Sequence, residues 1–83
     1  MKRITEKNET GYVVPEQEKE AALCRLGKFE DLWQELEQEQ LQLSAEMEQL
    51  RAAGKQNTVK FKEKMVKKLN NATMLAAFQG RGV

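Results

Sequence analysis

The sequence predicts a mainly α-helical protein with a small N-terminal β-hairpin, whose two helices form a helical hairpin and oligomerise into a helical bundle. A long segment with coiled-coil periodicity is the first observation behind this prediction, and a second amphipathic segment after a short link is the next. The third is size: a chain of 83 residues buries only a modest core, so association of chains is the expected remedy. We expect residues 1–83 to form a single domain.

Residues 3–14 are predicted to form the hairpin. The cluster Asn8-Glu9-Thr10-Gly11 supplies turn chemistry, with its glycine able to take a positive φ, and the Tyr12-Val13-Val14 run that follows has strong strand character. A lone hairpin is barely stable in water, so its apolar side chains should pack on the next helix. The contacts expected are those of Ile4, Tyr12 and Val14 with Leu23 and Leu32. The alternative is a frayed N-terminal arm.

The long helix is predicted to span residues 15–53. Pro15 suits the first helical position, where its missing N–H costs nothing, and the glutamates of the next turn favour the positive end of the helix dipole. Gly54 is the expected left-handed C-cap. Gly27 weakens this helix by about 1 kcal/mol relative to alanine, and we expect it to let the hairpin backbone approach closely.

Apolar residues form a seam of four heptads along this helix, at eight of nine positions from Ala22 to Leu50. Large aromatic side chains at such positions bury the most area, so Trp33 and Phe29 are the predicted anchors. The predicted oligomer interface consists of Leu26, Phe29, Trp33, Leu36, Gln40, Leu43, Met47 and Leu50.

Gln40 is the one polar residue of the seam. A buried amide costs stability unless it is hydrogen-bonded, so a central one tends to fix register or oligomer number by pairing. We expect Gln40 to lie near Gln40 or Leu36 of an antiparallel second copy. The alternative is an exposed position beyond the contact zone.

A second helix is predicted over residues 57–79, with Asn57 or Thr58 as its N-cap. Because the link is short, this helix should fold back antiparallel on the Leu36–Leu50 half of the first. Its predicted apolar stripe consists of Phe61, Met65, Leu69, Ala72 and Ala76, widened by Val66, Leu75 and Phe78.

The end of the second helix is apolar on more than one side. The run Met74–Phe78 is therefore expected to contact both the long helix and a second subunit. Residues 80–83, with two glycines, are predicted to form a disordered tail.

Charge is segregated along the chain, although the formal net charge is only +1. Residues 15–54 carry ten acidic and four basic side chains, whereas residues 55–83 carry seven basic side chains and one acidic. Long segments of opposite charge joined by a short link should attract each other, within a molecule or between molecules, and less so in high salt.

The basic residues of the second helix form a candidate ligand site. Lys60, Lys64, Lys67 and Asn71 share one helical face, with Lys68 beside them, a spacing that suits phosphate groups or an acidic partner. No nucleic-acid recognition motif accompanies them. A solvated face, or one that pairs with acids of the long helix, is the interpretation that we favour.

Catalytic and metal-binding patterns are missing from the sequence. The absence of histidine excludes Ser-His-Asp and Cys-His systems and histidine-containing metal sites. Cys24 alone can neither hold zinc nor form an internal disulfide, and Glu30 and Asp31 are typical of a solvated helix face. We expect no enzyme activity, no cofactor and no metal.

Location can be predicted from the same composition. No apolar run approaches the ~20 residues of a membrane span, and no cationic segment followed by an apolar run precedes a cleavage site. A single cysteine fits a reducing compartment. We expect a cytoplasmic protein without a membrane partner.

Two stretches resemble a set of small bacteriophage and prophage proteins of Gram-positive bacteria. The first, residues 3–12, is similar to their opening Arg-Leu-Thr-Glu-Lys-Asp-Glu-x-Gly pattern. The second, residues 26–32, is similar to their Leu-x-x-Tyr-Glu-Asp segment, with Phe29 in place of tyrosine. The chain departs from the set in lacking a segment between hairpin and helix and a Thr-Gly-Leu continuation.

What this resemblance implies is a phage accessory protein in the cytoplasm of the bacterial host. Small helical oligomers of that class often block a host defence, as anti-CRISPR proteins do, by binding a protein or sequestering a nucleotide signal. The function expected is therefore non-enzymatic: inhibition of a host anti-phage defence protein by a coiled-coil homo-oligomer. The alternative is a protein that binds nucleic acid or a nucleotide through the basic face of the second helix.

Overall fold

A computed structural model describes all residues, Met1–Val83, and confirms the predicted mainly helical fold, in which an N-terminal hairpin precedes a long helix and a second helix packed against it. The elements in chain order are β1 (Glu6–Asn8), β2 (Gly11–Val13), a 3₁₀ turn (Glu16–Glu18), α1 (Lys19–Ala52) and α2 (Val59–Gly80). The chain divides into two compact units, Met1–Leu32 and Trp33–Val83, and α1 contributes residues to both. Neither helix has a stretch apolar enough to cross a membrane.

The hairpin has the predicted turn. β1 and β2 pair antiparallel, with Asn8 opposite Gly11, so the loop consists of two residues. The Asn8 Oδ1 accepts hydrogen bonds from the backbone N–H and the hydroxyl of Thr10, both at 3.0 Å. Gly11 has φ +140°, a backbone conformation that side chains disfavour.

The apolar side chains of the hairpin do not pack as expected. Tyr12 is 65 % exposed, and the predicted partners Leu23 and Leu32 are 69 % and 48 % exposed. Ile4, in the chain before β1, is half-buried and lines an open groove together with Leu26, a residue of the heptad seam.

The start of α1 lies later than predicted. Pro15 keeps an extended backbone, with ψ 141°, and serves as the N-cap of the 3₁₀ turn rather than as the first helical residue. The Glu18 N–H donates to the Pro15 carbonyl at 2.8 Å, which winds this turn tightly before the α-helix begins at Lys19.

Gly54 ends α1 as predicted. Its φ is +72°, the left-handed conformation. The Gly54 N–H donates to the Arg51 carbonyl at 3.0 Å, and the Lys55 N–H donates to the Leu50 carbonyl at 2.7 Å. These two bonds form a Schellman motif, which satisfies carbonyls that the helix itself leaves open.

Thr58 is the N-cap of α2, one of the two residues predicted for this role. Its hydroxyl accepts a hydrogen bond from the Phe61 N–H at 3.3 Å. The helix includes Gly80, and Val83 donates its N–H to the Phe78 carbonyl at 3.3 Å. The structure thus gives residues 80–83 a hydrogen-bonded helix end where the sequence predicts disorder.

Contacts between α1 and α2 follow an antiparallel order, which confirms the predicted fold-back. At one end the rings of Trp33 and Phe78 have centroids 5.5 Å apart, and at the other Arg51 Cζ lies 5.4 Å from the centre of the Phe61 ring. Polar contacts between these ends join Glu39 to Asn71, Gln40 to Lys68 and Glu46 to Lys64.

The core of this unit lies between the two helices. Its apolar members are all at most 8 % exposed: Leu36, Leu43, Met47 and Phe61. Asn71, at 4 % exposure, is the one buried polar residue. Because four side chains form so small a core, its contribution to stability is modest.

α2 turns only part of its predicted apolar stripe towards α1, and among the residues that widen the stripe Phe78 packs against Trp33. Of that stripe only Phe61 is buried, whereas Met65 is 40 % and Leu69 61 % exposed, and Ala72 and Ala76 are also exposed. The hydrogen bond of Asn71 and the ion pairs of nearby lysines with α1 carboxylates fix a different rotation of the helix.

Gly27→Ala is expected to stabilise the protein by about 1 kcal/mol, because alanine is the better helix former. A Cβ at position 27 meets no atom within 4 Å, so the expected close approach of the hairpin backbone is absent. Urea denaturation followed by circular dichroism measures the change. Gly54→Ala should instead destabilise, since its φ of +72° strains a side chain. A loss of stability in Gly27→Ala contradicts this account.

Candidate functional site

Most of the predicted oligomer interface in the unit Trp33–Val83 is covered by α2 of the same chain. Leu36, Leu43 and Met47 are buried, and Leu50 is half-buried. Trp33 packs against Phe78 with an angle of 40° between the ring planes. Side chains that α2 already covers cannot also form a surface for a second copy, so this part of the interface prediction needs correction.

Gln40 pairs within the chain rather than with a second copy. Its Nε2 donates to the Lys68 backbone carbonyl at 3.0 Å, a bond that anchors the middle of α2 on α1. Its Oε1 is buried and has no hydrogen-bond partner. In this chain the Gln40 amide thus joins α1 to α2, and only its N–H side is hydrogen-bonded.

The predicted basic face of α2 is partly neutralised by α1. Lys64 forms an ion pair with Glu46, and its side chain is only 21 % exposed. Lys67 Nζ lies 3.4 Å from a carboxylate oxygen of Glu39. Three of the five predicted ligand residues, Lys64, Lys67 and Asn71, thus contact acids of the long helix, the interpretation favoured from sequence.

The other two predicted ligand residues, Lys60 and Lys68, are placed differently from each other. Lys60 is exposed, and Lys68 is half-buried, with its backbone carbonyl occupied by Gln40. Lys64 and Lys67 are already paired with carboxylates and so attract phosphate groups less strongly, which makes this face a weak phosphate site.

Both acids have lowered pKa values. The Asn71 Nδ2 donates to Glu39 Oε1 at 2.6 Å, and this bond, with a further contribution from Lys67, lowers the pKa of Glu39 against the opposing effect of partial burial. Hydrogen bonds from Lys64 and then Gln42 lower the pKa of Glu46 in the same way. Both carboxylates are therefore stabilised in their charged form.

An apolar groove of about 510 Å³ lies in the unit Met1–Leu32. Its apolar lining comes from both the chain before β1 and the seam of α1, and two arginines complete it. The lining residues are Met1, Arg3, Ile4, Thr5, Ala22, Arg25, Leu26 and Phe29. Leu26 and Phe29 of the predicted interface therefore face a groove of mixed apolar and cationic character.

The groove arginines are held in place by backbone groups. Arg25 Nη1 donates to the Lys2 carbonyl at 2.7 Å, and Arg3 Nε donates to the Thr5 carbonyl at 3.1 Å. Arg3 also lies with Cζ 5.8 Å from the centre of the Tyr12 ring. Each guanidinium has further N–H donors beyond these bonds, so the groove can recognise an anionic group beside an apolar one.

The outer face of α2 is the surface that the sequence analysis missed. Met65, Val66, Leu69 and Met74 are between 40 % and 61 % exposed. Met65, Val66 and Leu69 were assigned to the contact with α1, and only Met74 belonged to a run that was also expected to contact a second subunit. One signal could have corrected this assignment. Asn71 and Lys64 share one face of α2, and this face turns towards Glu39 and Glu46 of α1.

A metal site requires several ligand side chains that lie close together. No three His, Cys, Asp or Glu side chains lie together in a way that could hold a metal ion. Cys24 is exposed on α1.

No family model matches the sequence, and neither a curated protein nor a solved structure is detectably similar to the chain.

Stability is expected to fall as the pH falls below 4.5, the ordinary value for these carboxyls. Because Glu39 and Glu46 have a lower pKa when folded, the unfolded chain binds more protons in this range. The stabilisation is thus present above pH 4.5 and lost as pH falls through the folded pKa values. Urea midpoints measured from pH 6 to pH 3 test this.

The control for this pH dependence is a pair of variants. Glu39→Gln with Glu46→Gln should remove much of the dependence, whereas Glu37→Gln, on the exposed side of α1, should retain it. A double variant with the wild-type pH profile excludes these two carboxylates as its source.

Gln40→Leu is expected to stabilise the protein by about 1 kcal/mol, because it removes a buried oxygen that has no partner. The Lys68 carbonyl remains within α2 and loses only the hydrogen bond from the Gln40 amide. Gln40→Glu, which puts a charge at the same position, should destabilise instead. Thermal unfolding of both variants measures the effect; a less stable Gln40→Leu shows that the Lys68 bond outweighs the unpaired oxygen.

Proposed function

We propose that the protein is a non-enzymatic binding protein that works as a homo-oligomer, and that as a phage accessory protein it inhibits a host anti-phage defence protein in the bacterial cytoplasm. The observation that carries the binding function is the amount of apolar surface left open. Open apolar side chains occur in two groups, Ile4 with Leu26 along the groove and Met65 with Leu69 on α2. Apolar side chains that lie open next to one another are typical of interaction sites, unlike single exposed ones.

The groove in the unit Met1–Leu32 is the proposed surface for the defence protein. It combines apolar side chains, among them Ile4 and Leu26, with the guanidinium groups of Arg3 and Arg25. A partner segment with apolar side chains and a neighbouring carboxylate fits this combination, because arginine pairs with a carboxylate through two parallel hydrogen bonds. The similarity to the phage proteins covers the hairpin and this part of α1, and it supports the accessory role.

Binding of nucleic acid or a nucleotide by α2 is less well supported. Lys64 and Lys67 contact Glu46 and Glu39. A phosphate group would have to compete with these carboxylates for the lysines. Protein binding needs no such exchange.

Light scattering of the purified wild-type chain tests the homo-oligomer. A mass of two or more chains is expected at micromolar concentration, since each open apolar face gains free energy when it is covered. A mass of one chain at all concentrations rules out this part of the proposal.

Capture from infected host lysate tests the groove. Leu26→Glu is expected to abolish retention of the defence protein, because it puts a charge in the apolar lining. Leu23→Glu is the matched control, since Leu23 is 69 % exposed and lies outside the groove. Equal retention by both variants, or activity of the host defence unchanged by the purified wild-type chain, overturns the proposal.

A further inference from the structure

The outer face of α2 carries a stripe of its own. Met65, Leu69, Ala72 and Ala76 follow one another at spacings of four, three and four, so they lie on one side of the helix. All four are exposed, Leu69 by 61 %. This is the spacing of a two-helix contact, and α1 does not cover it.

We propose that this stripe binds the same stripe of a second copy, with the two α2 helices antiparallel across a two-fold axis between residues 70 and 71. The inference rests on the homo-oligomer proposed above and names its contact surface. It replaces the seam of α1, whose second half is buried within the chain.

Side-chain size favours this pairing. Across such an axis Met65 faces Ala76, and Leu69 faces Ala72, so a large side chain meets a small one at every step. Each contact occurs twice, as a two-fold interface requires. Large and small side chains that alternate across a contact interdigitate at the density of a protein core. A parallel pair would set Leu69 against Leu69 and leave a gap between the alanines.

The charge distribution of α2 favours the same orientation. Its lysines all lie between Lys60 and Lys68, and residues 69–80 carry no charge. Antiparallel pairing places the lysines of each helix beside the uncharged half of the other, near the negative end of its dipole. Parallel pairing would bring the two lysine clusters together and so cost repulsion.

Leu69→Lys tests the surface. It is expected to convert the dimer to a monomer with unchanged helix content, because it places two charges within a small apolar contact. Leu41→Lys is the matched control, since Leu41 is 68 % exposed on α1 and outside the stripe. Light scattering gives the mass, and circular dichroism confirms that each variant is folded. A Leu69→Lys variant that remains a dimer overturns the inference.

A spin-label distance tests the orientation. Lys62→Cys in a Cys24→Ser background carries one label per chain. In the antiparallel pair position 62 lies beside position 79 of the partner, so the two labels are about 27 Å apart. In a parallel pair they are about 10 Å apart.

The two experiments separate this inference from the function on which it rests. A monomeric wild-type chain defeats both. A wild-type dimer that survives Leu69→Lys, or whose labels lie near 10 Å, leaves the homo-oligomer intact and defeats the α2 contact alone.

Discussion

The pairing of α1 carboxylates with α2 donors determines how α2 is rotated about its own axis. Asn71 is only 4 % exposed, and its amide is satisfied by Glu39 at 2.6 Å. A rotation of α2 that buried Leu69 would expose the side of the helix that carries Asn71. It would also break the ion pair of Lys64 with Glu46. A buried polar group without a partner is costly, so these contacts outweigh the burial of more apolar surface within one chain.

The rotation of α2 has a consequence for function. Side chains that could have completed the core of one chain, such as Leu69, are held on its outside, where they are available to another. Apolar surface is therefore distributed over two separate places, the groove beside Ile4 and Leu26 and the outer face of α2. A protein with two such surfaces can assemble through one and bind a partner through the other.

Sequence alone predicted the element order, the C-cap at Gly54 and the antiparallel return of α2, and it narrowed the N-cap of α2 to Asn57 or Thr58. These features depend on local chemistry and on a short link. It did not predict which face of α2 turns inward, because the apolar stripe with Leu69 and the polar set with Asn71 are both regular, and only the partner side chains on α1 decide between them. For the same reason Gln40 was assigned to a contact between copies.

The capped turn between α1 and α2 also determines the sequence in which the contacts between these helices are lost on unfolding. Contacts near the turn join residues close in sequence, and those further out join residues ever more distant: Lys64 and Glu46 are 18 positions apart, Asn71 and Glu39 are 32. The entropic cost of loop closure is therefore lowest at the turn. We expect the two helices to begin pairing at the turn and to separate first at the opposite end. Trp33 stands at that open end beside Phe78. The fluorescence of the single tryptophan thus reports local fraying before it reports loss of the whole fold.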